Sequence, residues 1–212
     1  KVSIVIANYN GYKLLKSCLL SLRNQTYSNF TIIVVDNGST DDSVKLLRAD
    51  FPEVTCIVNK NNVGFAKANN QAIVVALKDP EVSFVSTLNN DTEVDSKWLA
   101  GMVEIMEKDI RVGVVASKIL QMNNREYFDS AGDFLSCSGT RVYGRGQGER
   151  DVGQYQLVEE VFTATAAAAL FRRETLESVQ MKGEFFDGDF VSYVEDIDLC
   201  VRMRLFGWKC VY

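Results

Sequence analysis

The 212-residue sequence contains no histidine, and its five cysteines (Cys18, Cys56, Cys137, Cys200 and Cys210) are scattered without a CxxC pair. Both facts argue against a zinc site of the Cys/His kind. An odd, dispersed set of cysteines reads instead as reduced, mostly buried small side chains, as expected in a cytosolic compartment. No secretory leader is visible, and no apolar run reaches the ~18 residues that suffice to cross a bilayer. The longest stretch, Val161 to Phe171, is short and interrupted by threonines. An excess of basic residues is missing too: the net charge is −5, which argues against a general nucleic-acid-binding face. No GxGxxG follows the first strand-like run, which weakens a dinucleotide-binding dehydrogenase. The glycine-rich, Arg/Lys-bearing signature expected of a sugar nucleotidyltransferase is absent from the same place.

What is there is the composition of an ordinary soluble globular chain, 47% hydrophobic and 24% charged, long enough for one α/β domain with a substantial core. The sequence begins at Lys1 inside one strand-like run and stops at Tyr212 inside another, which predicts a piece of a longer protein, truncated at its C-terminal side. Residues 1–116 alternate short β-branched runs with amphipathic patterns. Val2–Ala7 precedes a helix over Tyr12–Arg23, and Thr31–Asp36 one from about Asp41 to Ala49, capped by Ser39 or Thr40. Val54–Val58 leads into a helix over Gly64–Lys78, and Val82–Leu88 into one over Lys97–Glu107, capped by Asp95 or Ser96. Apolar strands separated by helices predict a Rossmann-like, mostly parallel sheet covered on both faces. From about Ser117 the pattern turns irregular, with a glycine-rich stretch, GTRVYGRGQGERDVGQ, that reads as loops or hairpins. A final helix is predicted from Glu195 to Phe206, with Cys200, Met203 and Leu205 on or near its apolar side and Gly207 at its stop.

Open parallel sheets bind ligands beyond the carboxyl ends of their strands. Three polar clusters fall at such ends: Asn8-Tyr9-Asn10-Gly11, Asp36-Asn37-Gly38-Ser39-Thr40-Asp41 and Asn89-Asn90-Asp91. Asp36 can accept hydrogen bonds from a base imide or a ribose hydroxyl; equally, it can form an Asx-turn with Asn37 and cap the next helix. Asn89 and Asp91 offer oxygen ligands to a hard cation, Mg²⁺ or Mn²⁺, whose remaining ligands would come from a diphosphate and water. The alternative there is a plain polar turn. Glu195-Asp196-Ile197-Asp198 opens the last helix, where carboxylates favour the helix dipole, and where one of them can instead take the proton of an attacking hydroxyl. Phe185, Phe186, Phe190 and Tyr193 before it can form a water-excluding wall or simply core.

Taken in order, the segments VSIVIANYNG, IIVVDNGSTDDS, NVGFAKANNQAI, LNNDTEV and FFDGDFVSYVEDIDLCVRMRLFGWKCVY resemble glycosyltransferase family 2, across Val2 to Tyr212. The resemblance implies a GT-A fold, with residues 1–116 as the nucleotide-binding half and 117–212 as an irregular, acceptor-binding half. It implies an inverting, metal-dependent transferase. Asp36 would recognise the base with Ala7, Asn8 and Tyr9, and Asn61, Gly64, Lys67 and Asn90 would line the nucleotide pocket. The helix after Gly64 would favour the donor's negative charge. Asp91, with Asn89 in place of the first Asp of the family's DxD, would hold the metal. Asp196 would be the base and Glu195 its orienting neighbour. Thr163–Ala167 would be a small-residue strand beside the donor sugar, and a histidine completing the metal site would lie beyond the last residue here. The stretch GRGQGERDVGQY looks most like rhamnosyltransferase-type members, which points to dTDP-rhamnose, with UDP-hexoses as the other donors. The acceptor would be a saccharide or lipid-linked sugar of a cell-surface polysaccharide, reached in the cytoplasm or by peripheral association with the inner face of the cytoplasmic membrane; the oligomeric state is left open. Against this stand a nucleotide-sugar-binding module without turnover, a sugar nucleotidyltransferase, and a glycosidase with paired carboxylates.

Overall fold

The computed structural model describes residues 1–139 and 141–212; Thr140, within the glycine-rich stretch, lies outside the described residues. β1 (Val2–Asn8) is a run of mostly β-branched residues buried on both faces, as suits a central strand. α1 (Tyr12–Arg23) buries Leu15, Cys18, Leu19 and Leu22 at i, i+3, i+4, i+7, whereas Leu14, which the sequence pattern places on the same face, is exposed. β2 (Phe30–Asp36), α2 (Ser43–Asp50), β3 (Thr55–Val58), α3 (Phe65–Ala76), β4 (Phe84–Leu88) and α4 (Trp98–Lys108) follow in the expected alternation. β5 (Val112–Ala116), wholly buried, closes this half; its strand is not separated from the following loops by the sequence pattern.

The second half is less regular. Two hairpins, β6 (Ile119–Gln121) with β7 (Asn124–Ser130) and β8 (Asp133–Leu135) with β9 (Val142–Gly144), lead to β10 (Ala168–Arg172), α5 (Arg173–Val179), a 3₁₀ turn (Gly188–Phe190), α6 (Glu195–Leu205) and β11 (Lys209–Val211). The central sheet has seven strands in the order β11-β5-β10-β4-β1-β2-β3. Its pairings are parallel except for β10, which runs antiparallel between β4 and β5. The second half therefore completes the sheet of the first.

Several local expectations are corrected. α2 starts after Asp42 and α4 after Lys97, neither with a side-chain cap. Ser39 is engaged by Asp36, and the Asp95 carboxylate accepts from the Lys97 N–H. Leu205 is 80% exposed, whereas Cys200 and Met203 are buried. Phe185 and Phe186 belong to the core, while Phe190 and Tyr193 are exposed. Cys18, Cys200 and Cys210 are buried, Cys56 is half-buried and Cys137 exposed, all as free thiols. Among the described residues no helix is long and apolar enough to cross a membrane.

Helices α1, α2 and α4 cover one face of the sheet, over Ile4, Ile6, Val34 and Leu170. On the other, α3, α5 and α6 pack over Val5, Val35, Val85 and Phe171. Two buried polar side chains hold α6 in that second layer. Asn70 of α3 donates to the Phe186 carbonyl at 2.7 Å and accepts from the Phe185 and Phe186 N–H groups at 3.2 and 2.9 Å. Arg202 of α6 donates to the Val179 and Phe185 carbonyls, both at 2.6 Å, and pairs with Asp198 one turn earlier. Replacing Asn70 by Ala leaves three buried backbone groups without partners. Such a loss costs about 2–3 kcal/mol, to be read as a lowered urea midpoint with an unchanged slope; a shift below about 0.5 kcal/mol would show that the 185–186 segment does not depend on it.

Candidate functional site

The three polar clusters do meet at the carboxyl ends of the strands. Asn8 and Asp36 are the last residues of β1 and β2 and lie opposite one another in register. Asn90, just past β4, donates through Nδ2 to Asn8 Oδ1 at 2.9 Å, and Asn8 Nδ2 donates in turn to Asp36 Oδ1 at 3.2 Å. Gly11 sits against this relay: a Cβ there would lie 2.5 Å from Asn90 Nδ2.

Asp36 is almost fully buried, and both carboxylate oxygens are occupied within the turn, by the Ser39 N–H at 3.0 Å and the Ser39 hydroxyl at 2.6 Å as well as by Asn8. Asp36 thus closes a side-chain turn on Ser39, three residues on, and caps no helix. Asn10, at φ 50°, closes the same loop by accepting from the Thr40 N–H. Asn37, read from the sequence only as a turn residue, organises the loop after β3. Its amide donates to Asn62 and to the Gly64 carbonyl and accepts from Asn59 and the Val63 N–H. Gly38 permits this, because a Cβ at its φ of 82° would lie 2.7 Å from the Asn61 backbone. Tyr9, Asn61 and Lys67 stand exposed along this rim, Ala7 and Gly64 are half-buried, and Asn8 is buried. The expectation that the start of α3 is open to a phosphate is corrected. The Phe65 and Ala66 N–H groups point to the Val191 carbonyl at 2.8 and 3.5 Å, and the Val63 and Gly64 N–H groups are held by Asn37 and Asn62.

The segment 163–167, expected as a strand, is an irregular turn just ahead of β10. Its small residues let it stitch two parts of the site together. The Ala166 N–H donates to Asp196 Oδ2 at 3.0 Å, and the next carbonyl, of Ala167, accepts from the Asn89 N–H at 2.8 Å. Asp196 Oδ1 accepts from the Ile197 N–H at 2.8 Å, in the first turn of α6, where the helix dipole favours its charge. Of the other acidic residues there, Asp198 is engaged by Arg202. Glu195 is buried with Oε2 unpartnered, and burial, then the charge of Asp196, pushes its carboxyl above the usual range. Asp133, which the sequence did not single out, is also raised, first by burial, with the charge of Asp196 adding to it. Asp196 is half-buried and keeps access to solvent. The backbone leading into α6 is strained: Val191, Tyr193 and Val194 have φ of 60°, 72° and 72°, unfavourable for side chains with a branched or bulky Cβ.

Asn89 and Asp91 face an open groove of about 1380 Å³, with Trp98, Tyr155 and Tyr212 farther along it; Asp36 and Asp196 are not part of its wall. The Asp91 carboxylate is exposed and carries no described hydrogen bond or ion pair. Among the described residues no cluster of three or more His, Cys, Asp or Glu side chains could hold a metal. One carboxylate and one amide, both oxygen donors, suit a hard cation that keeps water and takes its remaining ligands from phosphate.

Comparison with known proteins agrees with this geometry. The family model for "Glycosyl transferase family 2" matches residues 3–180. Poly-beta-1,6-N-acetyl-D-glucosamine synthase of Staphylococcus epidermidis is 24% identical over 216 residues, covering 100% of this chain and 47% of that protein. Among solved structures, the mannosyltransferase PcManGT of Pyrobaculum calidifontis, in complex with GDP-Man and Mn²⁺, superposes with a TM-score of 0.68 at 19% identity, over 99% of this chain and 53% of that one. S. aureus TarS 1–349 in complex with UDP-GlcNAc gives 0.71 at 19%, over 100% and 55%. The chain spans 23% to 58% of the length of the first curated relatives it matches. With a mixed sheet in the GT-A arrangement and a family match over most of its residues, the chain belongs to glycosyltransferase family 2.

Proposed function

We propose that this chain transfers a sugar from a nucleoside-diphosphate donor to a hydroxyl of a saccharide or lipid-linked acceptor, with inversion at the anomeric carbon. The observation that carries the reading is the stitch through Ala166 and Ala167, which ties Asp196 to the turn that bears Asn89 and Asp91. A base and a diphosphate-binding turn are thereby held on either side of one short segment, as an in-line displacement needs. Residues 1–116 hold the nucleotide and 117–212 the acceptor.

Tyr9 and Asn61 are the exposed groups of the nucleotide rim, with Ala7, Gly64 and Lys67 beside them. Asn8 and Asn90 set its shape through their mutual hydrogen bond. Asp36 would recognise the base through Oδ2, which accepts one hydrogen bond, from the Ser39 N–H, and keeps a free acceptor site. Mg²⁺ or Mn²⁺, held by Asp91 and Asn89, would neutralise charge on the departing diphosphate. Asp196 removes the acceptor proton as the oxygen attacks, and the Ala166 and Ile197 N–H groups hold its carboxylate in orientation. Glu195, whose carboxyl burial pushes above the usual range, adjoins it in the first turn of α6 and orients the acceptor or the base. The donor is dTDP-rhamnose or a UDP-hexose, on the character of the 144–155 stretch and on a structural neighbour that holds UDP-GlcNAc. The product is part of a cell-surface polysaccharide, in keeping with the polymer synthase among the relatives, and the work is done in the cytoplasm at the inner membrane face.

Incubation with Mn²⁺ and UDP-, dTDP- and GDP-sugars, followed by assay of released nucleoside diphosphate, tests the reaction class. Binding without release would replace it with a nucleotide-sugar-binding module. Asp196→Asn is expected to lower kcat by roughly 10²–10⁴-fold, the usual contribution of a general base, while nucleotide affinity measured by calorimetry stays within about twofold of wild type. Asp91→Asn is expected to weaken Mn²⁺-dependent nucleotide binding by roughly tenfold, the loss of one charge-assisted contact, and to leave metal-free nucleotide binding unaltered. Equal affinity with and without Mn²⁺ in the wild type would remove the metal from the proposal.

A further inference from the structure

A second, smaller cavity of about 310 Å³ opens at the first turn of α6 and shares Asp129 with the larger groove. Its wall is formed by Asp129, Asp133, Gln147 and Thr165, together with Gly144 and Ile197, the residue that follows Asp196. Asp133 is held in place by the Thr163 hydroxyl, which donates to Oδ2 at 2.6 Å; no described hydrogen bond reaches Oδ1. Thr163 begins the same segment whose Ala166 N–H holds Asp196, so pocket and base share one support. Asp133 and Ile197, the neighbour of Asp196 in the first turn of α6, stand in the wall of this one cavity.

The lining has the chemistry of a carbohydrate site. Two carboxylates, an amide and hydroxyls supply acceptors and donors for sugar hydroxyls, while Val142 and Ile197 supply apolar surface for C–H faces. Neither Lys nor Arg is among the lining residues, so nothing there compensates a phosphate or a uronic carboxylate. The volume lies at the lower end of the roughly 300–1,000 Å³ that small-molecule sites occupy, which gives room for one ring.

We infer that this cavity seats the terminal ring of the acceptor, as a neutral pyranose bound through Asp133 and Asp129 with its reacting hydroxyl turned to Asp196. The assignment rests on the role given to Asp196 and adds to it a substrate class: the terminal acceptor residue is an uncharged sugar, and a lipid phosphate or diphosphate lies outside the cavity.

Saturation-transfer NMR with methyl glycosides of neutral hexoses, N-acetylhexosamines and 6-deoxyhexoses, in the presence of UDP and Mn²⁺, tests the pocket without turnover. Methyl hexuronides are the charged counterparts. At least one neutral glycoside is expected to bind, the corresponding uronide roughly tenfold or more weakly. Asp133→Ala is expected to reduce neutral-glycoside affinity by roughly tenfold or more. Gly144→Leu fills the cavity and acts as a second probe. The Gly144 backbone is outside the left-handed region, and the nearest group a Cβ there meets is Gln147, at 3.4 Å. It should abolish glycoside binding with nucleotide affinity retained as the measure of correct folding. In the transfer assay both variants should raise acceptor KM and leave donor KM within about twofold. Absence of binding by every neutral glycoside, preferential binding of uronides, or unchanged acceptor affinity in both variants would overturn the assignment. A wild type that releases no nucleoside diphosphate yet binds neutral glycosides in this Asp133-dependent way would sink the transferase reading and leave the pocket standing.

Discussion

The site depends on a path of short polar contacts that runs across the carboxyl edge of the sheet. It passes from Asp36 through Asn8 to Asn90, and from Asn89 through Ala167 and Ala166 to Asp196. Each link joins residues distant in sequence, and each uses either a side-chain amide or a backbone group. Asparagine is suited to this because its amide both donates and accepts: Asn8 gives a hydrogen to Asp36 and receives one from Asn90 in the same plane of contacts. Aspartate at position 8 would place two carboxylates against each other beneath the rim. The small side chains of residues 164, 166 and 167 matter for a complementary reason, since a larger group would hold the turn after β4 away from α6.

A second tier of contacts keeps α6 where that path needs it. Asn70 and Arg202 converge on the 185–186 backbone from α3 and α6, and Arg202 also reaches the end of α5. Between this anchored segment and Glu195 lie Val191, Tyr193 and Val194 at positive φ. Such conformations persist only when neighbours over-determine them. The Val191 carbonyl does so by occupying the first N–H groups of α3, which gives up a generic anion site to fix the approach to the base.

The charge arrangement around Asp196 separates four nearby carboxylates by environment. Asp198 is neutralised by Arg202, Glu195 and Asp133 are pushed toward their protonated forms by burial, and Asp196 is half-exposed with two backbone N–H donors. Hydrogen bonds from N–H groups favour the ionised carboxylate, whereas burial favours the neutral one. The same local sequence, Glu-Asp-Ile-Asp, thus yields a half-exposed carboxylate flanked by a buried carboxyl and a structural ion pair.

Much of this was legible in the sequence. The continuous apolar runs and period-3.6 patterns of residues 2–108 determine α/β alternation, and the polar clusters that follow β1, β2 and β4 mark the rim, since such sheets bind ligands beyond their carboxyl ends. The same patterns could not reveal that β10 inserts antiparallel between β4 and β5, since strand direction is set by long-range pairing and not by local composition. Nor could they show that Asp36 turns inward, that Val191 closes the start of α3, or that Asp133 shares a cavity with the first turn of α6. Those facts concern which hydrogen-bonding groups find partners across the fold. The sequence by itself therefore determined the elements and the edge at which they present polar groups. Only the tertiary structure decided which of those groups are consumed by one another and which remain for a ligand, because a donor or acceptor is occupied or available only once its neighbours in space exist.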